Sequence, residues 1–163
     1  MEPSELSDLP QGRILGIDYG QRRTGIAICD PSQILSSSLK TLRVQSRRQL
    51  VNDVIETVQQ YDVVAVVVGM PYNMDYSLGR RSGEVLQFTD SLRKNCPVPV
   101  LTWDERLSTV SAKKSMIERG ASPSRNRNTV DQVAAAFILQ SFLDRLKVIR
   151  CQSSRRRDDE LKT

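Results

Sequence analysis

Histidine is missing altogether from the 163 residues, and that absence removes Ser-His-Asp and Cys-His triads, imidazole metal sites and the commonest general base. Any chemistry must then run on carboxylates, lysines, hydroxyls or a bound metal. Cysteine is scarce: Cys29, Cys96 and Cys151 stand apart with no C-x-x-C pair, which excludes a zinc framework and leaves no even disulfide set. A reducing cytosol suits them. No apolar run approaches the roughly 20 residues that span a bilayer, and no basic start precedes an early apolar stretch. The chain therefore reads as soluble, uncleaved and cytoplasmic, with no membrane partner.

What is present in quantity is positive charge. Lys and Arg number 24 against 19 Asp and Glu, a formal charge of +5, and a phosphate polymer is the natural partner of such a surface. The length suits one domain with one core. Residues 1–11, with Pro3 and Pro10 among small polar side chains, read as a flexible leader, and residues 12–149 as the single domain. Residues 150–163 carry Arg155-Arg156-Arg157 and then Asp158-Asp159-Glu160, with almost nothing to bury. They are expected to be disordered.

Within the domain, apolar stretches over 13–17 and 26–29 flank the polar turn Gln21-Arg22-Arg23-Thr24 between Gly20 and Gly25, which predicts a hairpin. Residues 34–42 supply a third strand. Leu50, Val51, Val54, Ile55 and Val58 fall on one face of a helix over 46–61. The run Val63-Val64-Ala65-Val66-Val67-Val68 does not alternate, the mark of a strand buried on both faces, lying centrally and parallel to the first. Helices through Val85, Leu86, Phe88 and Leu92, over about 109–119 and over about 130–147 follow, with a strand over 98–103 and a basic loop over 120–128. The sum is an α/β fold: a mixed five-stranded sheet, its first three strands antiparallel, with helices packed on it.

Three acids stand where such a sheet gathers ligands. Asp18 closes the first strand, Asp104-Glu105-Arg106 follows the last, and Asp131 opens the long helix, with Ala134, Ala135, Ile138 and Phe142 recurring on its face. In open α/β sheets the crevice lies outside the carboxyl ends of the strands. Asp18 and Glu105, with Asp104 the weaker candidate, point into a common space there. Each has a plainer account: a turn cap for Asp18, an ion pair with Arg106 or a helix-start charge for Glu105, and a dipole-compensating charge for Asp131. Together the three would repel one another unless a cation joined them. Mg²⁺ or Mn²⁺ prefers carboxylate oxygen, and two ions about 4 Å apart can activate a water and stabilise the leaving oxygen of a phosphodiester.

At this point the residues match a known family. Leu15-Gly16-Ile17-Asp18-Tyr19-Gly20 with Arg23, Gly25, Ala27 and Asp30 resembles the opening signature of the YqgF/RuvX proteins. Val68-Gly69-Met70-Pro71-Tyr72-Asn73-Met74-Asp75 is similar to their glycine-proline loop, and Asp104-Glu105-Arg106-Leu107-Ser108-Thr109 to their acidic strand-end block. Asp131 with Ala134-Ala135 and Ile138 to Leu143 matches their ending. The resemblance implies an RNase H-like fold and metal-dependent cleavage of phosphodiesters. Members are described as pre-16S rRNA nucleases and, by analogy with RuvC, as Holliday junction resolvases. It assigns Asp18, Glu105 and Asp131 as catalytic acids and metal ligands. RuvC-type resolvases carry an acid where this chain has Gly69-Met70-Pro71, so the following strand must supply it here. Thr24, Cys29, Tyr76 and Leu78 depart from the pattern without touching a proposed ligand.

Arg22 and Arg23 beside Asp18, and Arg80 and Arg81 after the glycine-proline loop, would flank the crevice. Lys113, Lys114, Arg119, Arg125 and Arg127 lead towards Asp131 and suit phosphates without reading sequence. Tyr72 and Tyr76 are candidates for stacking on bases, whereas Trp103, at the end of a buried strand, is expected to pack. For each basic group the plainer account is an ordinary solvated surface. Two other classes compete. Actin-like ATPases share the Asp-Tyr-Gly turn but need two lobes and about twice the length, and a non-catalytic binding or ribosome-assembly factor could keep the same fold. Junction resolution on branched DNA would need a symmetric dimer, and no feature of the chain reports one.

Overall fold

The computed structural model describes residues 6–72, 79–107 and 127–160, with side chains described only over 131–155 in the last stretch. Five strands form one sheet: β1 (Arg13–Asp18), β2 (Arg23–Cys29), β3 (Ser36–Arg43), β4 (Val63–Met70) and β5 (Val100–Asp104). Their order is β3-β2-β1-β4-β5. The pairs β1/β2 and β2/β3 are antiparallel, and β1/β4 and β4/β5 are parallel. This is the mixed sheet that the pattern of elements predicts.

Helix α1 (Arg47–Gln60) starts where Ser46 Oγ accepts a hydrogen bond from the Gln49 amide, satisfying one of the donors a helix start leaves open. Its apolar stripe of Leu50, Val51, Val54 and Val58 is buried. Helix α2 (Arg80–Asn95) buries Val85, Phe88 and Leu92 the same way. Both lie on one face of the sheet, against Leu15, Ile17, Ile26, Val66 and Val68. Helix α3 (Arg127–Glu160) covers the other face, where Ile138, Leu139, Phe142 and Leu143 meet Ile14, Ala27, Ala65, Val67 and Leu101. Alternate residues of β4 thus enter opposite cores, which is why its sequence shows no polar alternation.

Two expectations fail at the chain ends. Of the leader expected to be flexible, Leu9 is buried in the core under α3. The tail expected to be disordered from residue 150 continues α3 as helix to Glu160. Arg150 ties the two ends together: it donates to the Leu9 carbonyl and to Gln33 Oε1, each at 2.7 Å. Gln33 in turn donates to the carbonyls of Pro10 and Gly12. The helix expected over 109–119 and the basic loop over 120–128 lie outside the described residues, apart from the helical backbone of 127–128. No helix among the described residues is long and apolar enough to cross a membrane.

Candidate active site

Strand alternation decides which acids can meet. Side chains two residues apart share a face, so Ile14, buried under α3, places Gly16 and Asp18 on the α3 side. Ala65 and Val67 do the same for Gly69 and Leu101 for Trp103, while Glu105 opens the 3-10 turn that follows β5, where strand alternation no longer applies. Asp104 falls on the opposite side. Asp18 is 5 % and Glu105 8 % exposed, so both carboxyl groups are more enclosed than a position at the sheet rim suggests.

Glycines bring the three elements together. Asp18 lies directly across from Gly25 in the β1/β2 ladder. A Cβ on Gly25 would run into the backbone carbonyl of Asp131, so α3 sits against the sheet at the very residue that faces Asp18. On the other side of β1, Ile17 pairs with Val68, which sets Gly69 beside the strand end. A Cβ on Gly69 would lie 2.7 Å from Glu105 Oε1. The glycine leaves the room that the carboxylate of Glu105, just beyond the end of the next strand, takes up.

The side chains themselves are not yet gathered around one point. Among the described residues no three carboxylates or thiols form a ready metal-holding group. Asp131 is engaged instead by Arg23, Nε to Oδ2 at 3.0 Å. That pairing supplies the compensating cation which an acid on an otherwise apolar helix face requires. It also gives Arg23 a partner other than the phosphate expected of it. In kind, the donors are all carboxylate oxygens, the set that hard divalent cations take.

Asp104 is occupied elsewhere. Its carboxylate accepts from Arg106 Nε and Nη2, the latter at 2.6 Å, and from the Arg106 amide. The Arg106 hydrogen bonds hold its pKa below the ordinary carboxylate value, against partial burial. The same guanidinium lies over the Tyr72 ring, 4.9 Å from its centroid. One face of Tyr72 is therefore covered, and the ring packs against the core under α1 and α2, which leaves it poorly placed to stack on a base. Trp103 packs as expected, edge-on to Phe142, with its indole N–H on Ser141 Oγ at 3.0 Å.

Beside the acids opens a cavity of about 600 Å³ whose walls include Arg22, Arg23, Arg80, Arg81 and Asp131. The four arginines expected at the crevice do converge there. Lys113, Lys114, Arg125 and Tyr76, and the side chain of Arg127, lie outside the described residues. Sequence reasoning missed Tyr19 and Glu84, which also line the cavity. Tyr19 stacks on Phe88 at 5.0 Å, and burial, helped by Glu84 and opposed by Arg47, raises its pKa. Glu84 accepts from Gln21 Nε2 at 2.8 Å and ties α2 to the β1/β2 turn. Helical spacing from Arg80 and Arg81 was the available signal, since Glu84 is one turn on.

Comparison with known proteins agrees with this geometry. The family model RuvX, described as Holliday junction resolvase, matches residues 12–145. A protein of Roseiflexus sp. named "Putative pre-16S rRNA nuclease" is 40% identical over 133 residues, 82% of this chain and 94% of that one. One of the same name from Acetivibrio thermocellus is 42% identical over 134 residues, 81% of this chain and 95% of that one. Among solved structures, T. thermophilus RuvC in complex with Holliday junction substrate superposes with a TM-score of 0.55 at 16% identity, covering 83% of this chain and 96% of that one. The yeast mitochondrial Holliday junction resolvase does so with a TM-score of 0.53 at 12% identity, covering 94% and 89%. The fold is thus the RNase H-like one that RuvC has.

Proposed function

This chain belongs to the RuvX family, and from that premise we propose that it is a cytoplasmic, divalent-metal-dependent nuclease that cuts phosphodiester bonds in processing of pre-16S ribosomal RNA. The observation that carries the reading is the delivery of Asp18, Glu105 and the first turns of α3 to one sheet end, beside a cavity walled by four arginines. Asp18, Glu105 and Asp131 would hold the ion, Mg²⁺ or Mn²⁺. When bound, such an ion supplies Lewis-acid stabilisation of phosphate charge and lowers the pKa of a water.

The protein's own part is positioning. Asp18 and Glu105 approach from the ends of β1 and β5, on either side of β4, and Asp131 would have to leave Arg23 to join them. Arg23 would then be free to hold phosphate with Arg22, Arg80 and Arg81 in the cavity it already lines. Enclosure of the two strand acids keeps bulk water from competing with the reacting one. No histidine is needed at any point.

A second reading, junction resolution on branched DNA, is favoured by the description of the matching family model. Gly69 in place of an acid at the β4 end speaks against a site built in the RuvC manner. The purified protein with Mn²⁺ or Mg²⁺ should cut precursor 16S rRNA in preference to four-way DNA junctions. Asp18→Asn should lower the rate by about 10³ or more while leaving most binding. Symmetric junction cutting in preference to RNA would reverse the ranking, and cutting that survives both Asp18→Asn and chelation would end the metal proposal.

A further inference from the structure

Away from the acids, a second cavity of about 550 Å³ opens between α1 and α2, lined by Arg47, Arg48, Val51, Asn52, Ser91 and Asn95. No carboxylate is among these residues. The nearest acids on α2 are Asp90, paired with Arg93, and Glu84, which belongs to the first cavity. Arg48 and Asn52 are exposed, so the groove presents a guanidinium and an amide to solvent.

The two cavities share one stripe of α2. Arg80 and Glu84 line the first, Ser91 and Asn95 line the second, and Gln87 stands between them. These five positions recur every three or four residues and therefore share a helix face. Gln87 accepts from Arg47 Nη2 at 2.6 Å, which holds that guanidinium at the junction.

We propose that the α1/α2 groove is a second phosphate-binding site that takes the substrate strand on from the arginine-walled cavity, its far end at Asn95 about 22 Å along α2 from Arg80, with Arg47, Arg48 and Asn52 as its contacts. The span follows from fifteen residues of helix at about 1.5 Å each and corresponds to roughly six nucleotides at the ~3.4 Å rise of a stacked strand. Guanidinium groups and an amide hold phosphate oxygen without reading bases, so the site lends affinity and strand direction rather than sequence choice. It rests on the nucleic-acid reading above.

The test is equilibrium binding of the full chain to single-stranded RNA oligonucleotides of about four and about ten nucleotides, over a series of salt concentrations. Affinity should rise with length in the wild type. The Arg47→Gln/Arg48→Gln double variant should lose most of that rise, about twentyfold at 0.1 M salt, because each phosphate pair on a single strand contributes roughly fivefold relative to 1 M salt. Its salt slope should be shallower by about 1.4. Asn52→Asp, which leaves the Arg47 to Gln87 contact untouched, should weaken the longer oligonucleotide as well. Should both variants keep the wild-type length dependence and slope, the site is refuted. Cutting by the wild type, measured separately, distinguishes this result from the catalytic reading: a wild type that never cuts yet shows the length effect keeps the groove and loses the nuclease, whereas cutting without the length effect does the reverse.

Discussion

The two faces of the sheet meet their helices in opposite ways. Against α1 and α2 the contact is thick with hydrocarbon: Leu50, Val54, Phe88 and Leu92 stand between helix and strand backbones. Against the first half of α3 it thins to glycine. A Cβ on Gly16 would lie 2.7 Å from Leu139 Cβ, Gly69 leaves room for Ile138 and Glu105, and Gly25 receives the Asp131 backbone itself. Thick packing distributes its energy over many atoms and tolerates a change of shape. Backbone set against glycine fixes a helix to a fraction of an ångström, which is what a residue delivered to a site requires.

The sharpest way to break this comparison is Gly25→Ala. The added methyl has backbone to meet rather than a flexible side chain, so about 3 kcal/mol of stability should go, and cutting by the folded fraction should fall with it as α3 is pushed away. Leu50→Ala on the other face should cost a similar about 2–4 kcal/mol yet leave that folded fraction as active as before. Urea denaturation read beside the rate per folded molecule distinguishes the two, and equal activity losses would erase the contrast.

A smaller effect tests the ion pair within the thin face. Arg23→Gln should change stability by less than about 1 kcal/mol, since both partners are partly solvated. It should nevertheless lower the metal concentration needed for half-maximal rate, because Asp131 no longer has to leave a cation. A raised requirement would show that Arg23 serves mainly to hold phosphate.

The smallest effect belongs to the opposite side. Asp104 has its folded pKa depressed by Arg106, so its contribution is complete above the ordinary aspartate value of 3.8 and is lost as pH falls through the folded value. Arg106→Gln should flatten that acid-side decline in thermal melting temperature and change nothing near neutrality beyond the lost contact to Tyr72. An unaltered acid limb would place the responsible carboxylate elsewhere.

Most of the sheet was legible because its signals are local periods. The run over 63–68 and the stripe from Leu50 to Val58 each settle their own geometry. The choice of Glu105 over Asp104 came from the resemblance, because Glu105 begins a 3-10 turn beyond β5 and the strand period does not place it. The partnership of Arg23 with Asp131 was not, since 108 residues separate them and each looked suited to other work. Nor was the anchoring of the leader, which depends on Leu9, on Leu6 packed beside the same core and on an arginine 141 positions away. Tyr72 misled for a related reason: an aromatic in a loop looks available until its neighbour Arg106 is seen to cover it.

The clasp of Arg150 on Leu9 and Gln33 has an implication for biosynthesis. A segment around Leu9 is fastened by a helix residue made 141 positions later, and contacts of such separation form late. Asp18 emerges early from the ribosome but gains its companions only once the region around Asp131 has been made and α3 has docked. If these acids form the proposed site, a growing chain carries none assembled past the nascent and mature RNAs that surround it.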